Sequence, residues 1–295
     1  MQKTSFFESG LKALLVLVML FTVCAPLLKA QKSDDLIEDL LFSNDEEFNK
    51  IFDLISNYQF LYTTINYSNK TYFAGRDLGL DQYNLTPQFF YLNSNGLMLG
   101  VSGVIYSGLN PKWNTTNLTI GYNHSFGKGK NFMYKASYSR YFFAKQDSVI
   151  PSFKNAFGIG ITYRKKWFGT RLDGSLLLGN QKSVQINYDA FLDISLLKIG
   201  KFDKLSLKPE LSLYFGSEAT IILKTIGIKN RPVYYYGNAF GWMNSELSIP
   251  LILNFRNFDF EVGYNINYPR ALGDNQPLKI VSTVDISIGY IFDLN

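Results

Sequence analysis

Residues 258–268 read FDFEVGYNINY. Large apolar or aromatic side chains take every second position: Phe258, Phe260, Val262, Tyr264, Ile266 and Tyr268. Small or polar ones take the rest: Asp259, Glu261, Gly263, Asn265 and Asn267. A period of two belongs to a β-strand, whose side chains point alternately to opposite faces. The stretch predicts a strand with one greasy face and one polar face. It is also long enough to cross hydrocarbon when tilted.

The same rhythm returns from residue 58 onward. Val284, Ile286, Ile288, Tyr290 and Phe292 share one face, with Asp285, Ser287 and Gly289 on the other. Leu247, Ile249, Leu251, Leu253 and Phe255 form another such row, as do Phe157, Ile159, Ile161 and Tyr163. Twelve segments follow the pattern, starting near residues 58, 85, 96, 116, 131, 156, 168, 183, 204, 245, 258 and 278. Connections after even-numbered segments are mostly tight (93–96, 127–130, 164–167, 198–204, 256–257). Those after odd-numbered segments are mostly longer (69–84, 109–115, 145–155, 216–244, 269–277), with 180–183 the exception. Short turns on one side and long loops on the other are the layout of a membrane barrel. In hydrocarbon no water satisfies a free backbone N–H or C=O, so a sheet persists there only if it closes on itself.

On these features residues 57–295 resemble the outer-membrane β-barrel proteins of double-membraned bacteria. The resemblance implies an all-β, antiparallel up-and-down transmembrane barrel of about twelve strands, with both termini in the periplasm. A fourteen-strand barrel is the alternative, because the connection 216–244 carries the apolar runs ATIILKTIGI and PVYYYGNAFGW. These are also read as an extra hairpin, a cover over the mouth or a docking surface. The last segment, STVDISIGYIFDLN, looks like the terminal signal read by the barrel assembly machinery, with its aromatic at Phe292 rather than at Asn295.

The residues before the barrel differ. An apolar run, Ala13 to Phe21, follows Lys3 and Lys12 and precedes Leu28-Lys29-Ala30, which predicts a signal peptide over 1–30. Residues 31–56 read as an acidic helical leader in the periplasm, either two short helices or one broken near Ser43. Ser43 and Glu46 form a capping box. The leader is read as packing on the barrel rim, or as a plug or partner-docking element. Net charge is +2 over 1–30, −6 over 31–56 and +9 over 57–295. The basic body suggests nucleic acid, but no basic helix or recognition motif supports that partner.

Alternation predicts which charges face the lumen: Lys135, Arg164, Arg171, Asp173, Asp189, Asp193, Lys208, Glu210, Glu246, Asp259, Glu261 and Asp285. Four are basic and eight acidic. They are read as an ion-pair network bracing the barrel, or as a solute path with a mild cation preference. Inward glycines, Gly100 and Gly289 among them, are expected to open space. Arg140, projecting toward lipid, and Lys224, Lys229 and Arg231, on the long-loop side, are candidate contacts for lipopolysaccharide phosphates.

Catalysis finds little support. Some twelve-stranded barrels resembled here are lipases, with Ser and His on the outer face. The single histidine, His124, faces lipid near a tight turn while Ser125 faces the lumen. One histidine, and no cysteine after residue 30, argue against a zinc site. No catalytic residue, metal or cofactor is expected. The functional expectation is a narrow passive channel for small solutes with a mixed-charge lumen. The alternatives are an accessory subunit of an envelope complex, docking through the leader or through 216–244, and an outer-membrane lipid-modifying enzyme.

Overall fold

Twelve long strands run antiparallel in chain order: β1 Gln59–Ser68, β2 Asn84–Asn93, β3 Leu97–Tyr106, β4 Trp113–Phe126, β5 Phe132–Phe143, β6 Phe153–Lys165, β7 Phe168–Gly179, β8 Lys182–Leu192, β9 Glu210–Ile226, β10 Arg231–Phe255, β11 Phe258–Pro269 and β12 Val281–Asp293. Each pairs with its sequence neighbours, and β1 pairs with β12 from Phe60↔Asp293 to Ser68↔Asp285. That last ladder closes the sheet, so among the described residues the twelve long strands form one continuous ring. The computed structural model describes residues 59–73, 76–77, 82–127, 130–144, 153–180, 182–199, 203–226, 231–272 and 278–294, the side chains of 73–77 and 218–238 excepted. The signal peptide and the acidic leader lie outside the described residues.

The barrel is inside out relative to a water-soluble protein. Along β11 the odd-numbered residues from Asp259 to Asn267 are all buried. Phe258, Phe260, Tyr264 and Tyr268 between them are exposed. Elsewhere Ile159 is 70% exposed and Ile288 52%, while Asn265, Asn267 and Thr283 are 0% exposed. Only a hydrocarbon surrounding makes that distribution favourable, since exposed apolar area in water opposes folding.

Aromatic rings gather at the two ends of the outer face. At the short-turn end Tyr122, His124, Tyr134, Phe126, Phe132 and Tyr163 form a continuous chain of ring contacts 4.9–6.4 Å apart. Phe258, Tyr290 and Phe292 continue the belt across the closing strands. At the other end Trp113, Phe142 and Tyr268 are exposed near their strand ends, and Trp242 close to where β10 leaves β11. Amphipathic rings at both interfaces mark the headgroup levels on either side of the greasy band.

The turns agree with the sequence reading, with two exceptions. The connections at 166–167 and 256–257 are two-residue turns, and Lys166 and Arg256 take positive φ there, as tight hairpins require. The stretch 204–215, read as one strand, is interrupted at Lys208-Pro209. Pro209 has no N–H to give the ladder, and neither has Pro250 on the strand beside it. The ladder resumes below the break, where Lys204–Leu207 pairs with β10 on one side and with Ile194–Lys198 on the other. The second exception is 216–244, which is not a loop. Its residues extend β9 and β10 into one hairpin, in register from Gly216↔Gly241 to Ile226↔Arg231. The alternative of two additional wall strands is therefore not realised: β8 leaves β9 at Gly216 and β11 leaves β10 at Asn244, so the extension pairs only with itself.

Candidate functional site

The candidate site is the interior wall. Of the twelve charges expected inward, nine are buried and Lys135, Asp173 and Asp193 are half-buried. They divide into two groups. The basic residues Lys135, Arg164 and Arg171 come from β5–β7, and Lys208 lies in the break before β9 with its N–H on the Pro250 carbonyl of β10. The acids Glu246, Asp259, Glu261 and Asp285 come from β10–β12.

Arg171 is the hub of the first group. Its guanidinium lies 2.7 Å from the Asp189 carboxylate, 3.3 Å from Asp173 and 3.4 Å from Glu210. Register explains why: Arg171 faces Asp189 directly across the β7–β8 ladder. Lys135 reaches Asp173 at 3.1 Å, and Arg164 reaches Asp193 at 2.5 Å. Asn187 adds an amide N–H to each Asp189 oxygen at 2.9 Å. Lys208 lies 4.7 Å from the centroid of Phe191, and Arg164 lies 5.8 Å from it. Buried charges are tolerable when they are paired and hydrogen-bonded in this way.

On the opposite wall, amides dominate between the acids. Asn244 donates to Asn267 at 2.8 Å, Asn254 donates to Asp259 at 2.5 Å, and Asn265 donates to Asp285 and, at 3.2 Å, to Thr283. These contacts follow from register, with Asn265 opposite Thr283 and Asn254 opposite Asp259.

A collar lies near the short-turn end, and alternation places inward aromatics, Phe191 among them, as groups that close the lumen. Tyr62, Phe90, Leu92 and Met98 form a buried cluster with Ile291 packed on it. Met133, Phe191 and Ile252 are buried and inward near the same ends of their own strands. The signal was present in the sequence as large residues at inward positions close to the tight turns.

Gly100, Gly121, Gly160 and Gly289 do not open space as expected, whereas a Cβ at Gly263 would meet nothing closer than 3.6 Å. A Cβ at Gly100 would strike the Phe90 ring, and one at Gly121 would meet Met98 at 2.8 Å. One at Gly289 would strike the Tyr62 hydroxyl, and one at Gly160 would collide with Lys135 and Asp173. Each of these four receives a large side chain from the next strand, so small and large residues interlock along the wall.

On the outer face Arg140 lies on the row with Tyr138 and Phe142. It donates to Asn155 at 2.7 Å, and the Tyr138 hydroxyl donates to the same oxygen at 2.8 Å. Lys224 and Arg231 lie in the hairpin extension, whose side chains are not among those described; Lys229 lies outside the described residues. His124 is exposed on the outer face between the rings of Tyr122 and Tyr134, as a belt residue should be.

No family model and no curated protein matches the chain. Among solved structures it is similar to the KdgM porin (9% identity, TM-score 0.45, covering 80% of this chain and 99% of that one). It is also similar to an outer membrane channel from Pseudomonas putida F1 (11%, 0.41, 80% and 95%) and to LpxR from Salmonella typhimurium (9%, 0.43, 79% and 100%). With its closed ladder, greasy outer band, aromatic belts and polar interior, the chain has the architecture of a membrane-spanning β-barrel.

Proposed function

We propose that this barrel is a narrow passive channel for small solutes and has no enzymatic role. The observation that carries the reading is the interior itself. Polar and charged side chains predominate along the wall between Met243, toward the long-loop end, and the apolar collar near the short turns. Twelve strands enclose more space than the eight that side chains alone fill, and less than the sixteen of open porins. A polar wall with a collar suits small solutes, and its mixed signs suit them better than long polyanions. In planar bilayers the purified full chain should give discrete single-channel steps, well below those of an open porin. A bilayer that stays silent at every protein concentration tested would remove the reading.

The same frame supports three further assignments. Gln59 and Leu294 are joined by a backbone hydrogen bond of 3.0 Å beside the short turns, which favours periplasmic termini. Phe292, exposed on the last strand, suits recognition by the barrel assembly machinery. Arg140, held by Asn155 on the lipid-facing side, suits a lipopolysaccharide phosphate. Arg140→Glu should reduce the lipopolysaccharide that co-purifies, and unchanged lipid retention would refute that contact.

The β9–β10 hairpin favours a second reading, as an accessory subunit of an envelope complex. It runs past the pairing limits of both neighbouring strands. Removal of residues 219–238 should then abolish capture of a stoichiometric partner from native membranes; capture that survives the deletion, or its absence in the full chain, argues against docking there.

A further inference from the structure

We infer that the acidic leader, residues 31–56, docks on an open strand edge at the short-turn rim, its apolar residues against the edge and its acids against the lysines beside it. The inference is independent of the channel reading and holds whether or not the barrel conducts.

The edge comes from unequal strand lengths. The chain of β8 continues past Leu192 as Ile194–Lys198, which pairs with Lys204–Leu207 on the β9 side. On the other side β7 ends first. Phe168 is its last residue opposite β8, and Asp193 donates its N–H to the carbonyl of Trp167 in the turn. Beyond that rung Ile194–Lys198 has no strand on its β7 side among the described residues. The segment has also left the two-sided wall. Asp189 and Phe191 on β8 are buried, but every residue from Ile194 to Ile199 is exposed. Four of these are large and apolar: Ile194, Leu196, Leu197 and Ile199, at 40–57% exposure. Hydrocarbon does not tolerate an unpaired backbone edge, so the segment lies on the aqueous side of the short-turn belt. In water an open apolar edge invites a further element to cover it.

Charge, attachment and reach select the occupant. Lys165 and Lys166, in the turn that ends at Trp167, and Lys198, on the edge itself, are exposed. The leader has a net charge of −6. Its acids Asp34, Asp35, Glu38 and Asp39 are interleaved with the apolar row Leu36, Ile37, Leu40 and Leu41. The leader thus joins an apolar row to acids where the rim joins an apolar edge to lysines, a complementarity of both kinds at once. The leader also enters the barrel at the same end, because Gln59 stands opposite Asn93 at the tight turn after β2. Going round by β12, five strand spacings separate β1 from β8, about 24 Å at roughly 4.8 Å each. Leu41 precedes Gln59 by eighteen positions, a span of about 27 Å even if all of them are helical. The row therefore reaches the edge.

The test uses the full chain in reconstituted vesicles, in a Cys24→Ser background. Leu40→Cys in the leader is combined with Leu197→Cys on the edge, or with Asn95→Cys in the turn after β2, which is nearer the leader's attachment at Gln59. Under mild oxidation the disulfide to position 197 should form about tenfold faster than the one to position 95. A leader moving freely on its tether would favour 95. At about 0.1 M salt, where charges act over roughly 10 Å, Lys165→Glu with Lys198→Glu should slow the reaction at 197 by about threefold. Equal rates at the two sites, or a faster one at 95, overturn the docking. A rate at 197 indifferent to the charge reversal overturns the pairing of acids with lysines. Hydrogen exchange gives a second readout without cysteines. The amides of residues 195–198 should exchange about tenfold more slowly in the full chain than in one lacking residues 31–56. Equal exchange in the two chains overturns the docking as well, and should the shortened chain fail to fold, the cross-link in the full chain decides.

Discussion

Arg171 shows how much one side chain can organise and how much of that was legible. Period-two alternation placed it inward, together with Asp173, Asp189 and Glu210. It could not say that these four meet, because contact across strands depends on register, and register comes from turn lengths and sheet shear. The β7–β8 ladder sets Arg171 opposite Asp189, and the β8–β9 ladder brings Glu210 within reach. The glycines carry the same lesson. Their absence of a side chain suggested room, yet Gly100 and Gly289 are small because Phe90 and Tyr62 lie over them. If Arg171 neutralises its cluster, Arg171→Met should destabilise the barrel by about 3 kcal/mol in urea unfolding from lipid vesicles. Adding Asp189→Asn should restore part of the loss, because one uncompensated carboxylate is removed with it. Fully additive losses would show that the two groups do not act together.

Strands and hairpins were read well wherever the pattern was uninterrupted. The starts of β3, β5, β7, β8 and β11 fall within a residue or so of those expected from alternation. Two elements escaped. Lys208-Pro209 breaks a strand whose hydrophobic rhythm runs straight through it, because alternation reports side chains and is silent about a missing N–H. The hairpin over 216–244 lacks clean alternation: its register sets the run Ile221-Ile222-Leu223 against Tyr236-Tyr235-Tyr234. That composition concealed its continuity with β9 and β10. The collar is likewise a property of several strands together. Phe90→Ala combined with Met98→Ala should raise single-channel conductance by about twofold or more, because it shortens the side chains at the narrow end while leaving the ladder intact. Unchanged conductance would place the constriction elsewhere.

For the molecule as a whole, the decisive feature is a sheet that meets two solvents at once. Greasy rows face outward, amides and charges face inward, and β1 joins β12 to close the ring of long strands. That much was readable from alternation, because a fixed period of two maps each residue to a face without knowledge of its neighbours. Which interior groups meet was not readable, because it depends on the register between strands. The most direct test of the two-solvent barrel is a spin-label scan along β11 in reconstituted vesicles, one cysteine at a time from Phe258→Cys to Tyr268→Cys. The account predicts a strict alternation: oxygen dissolved in lipid relaxes labels at the even-numbered positions far more than those at 259, 261, 263, 265 and 267. Eleven labels equally open to a water-soluble relaxation agent, or a profile with a period other than two, would contradict it.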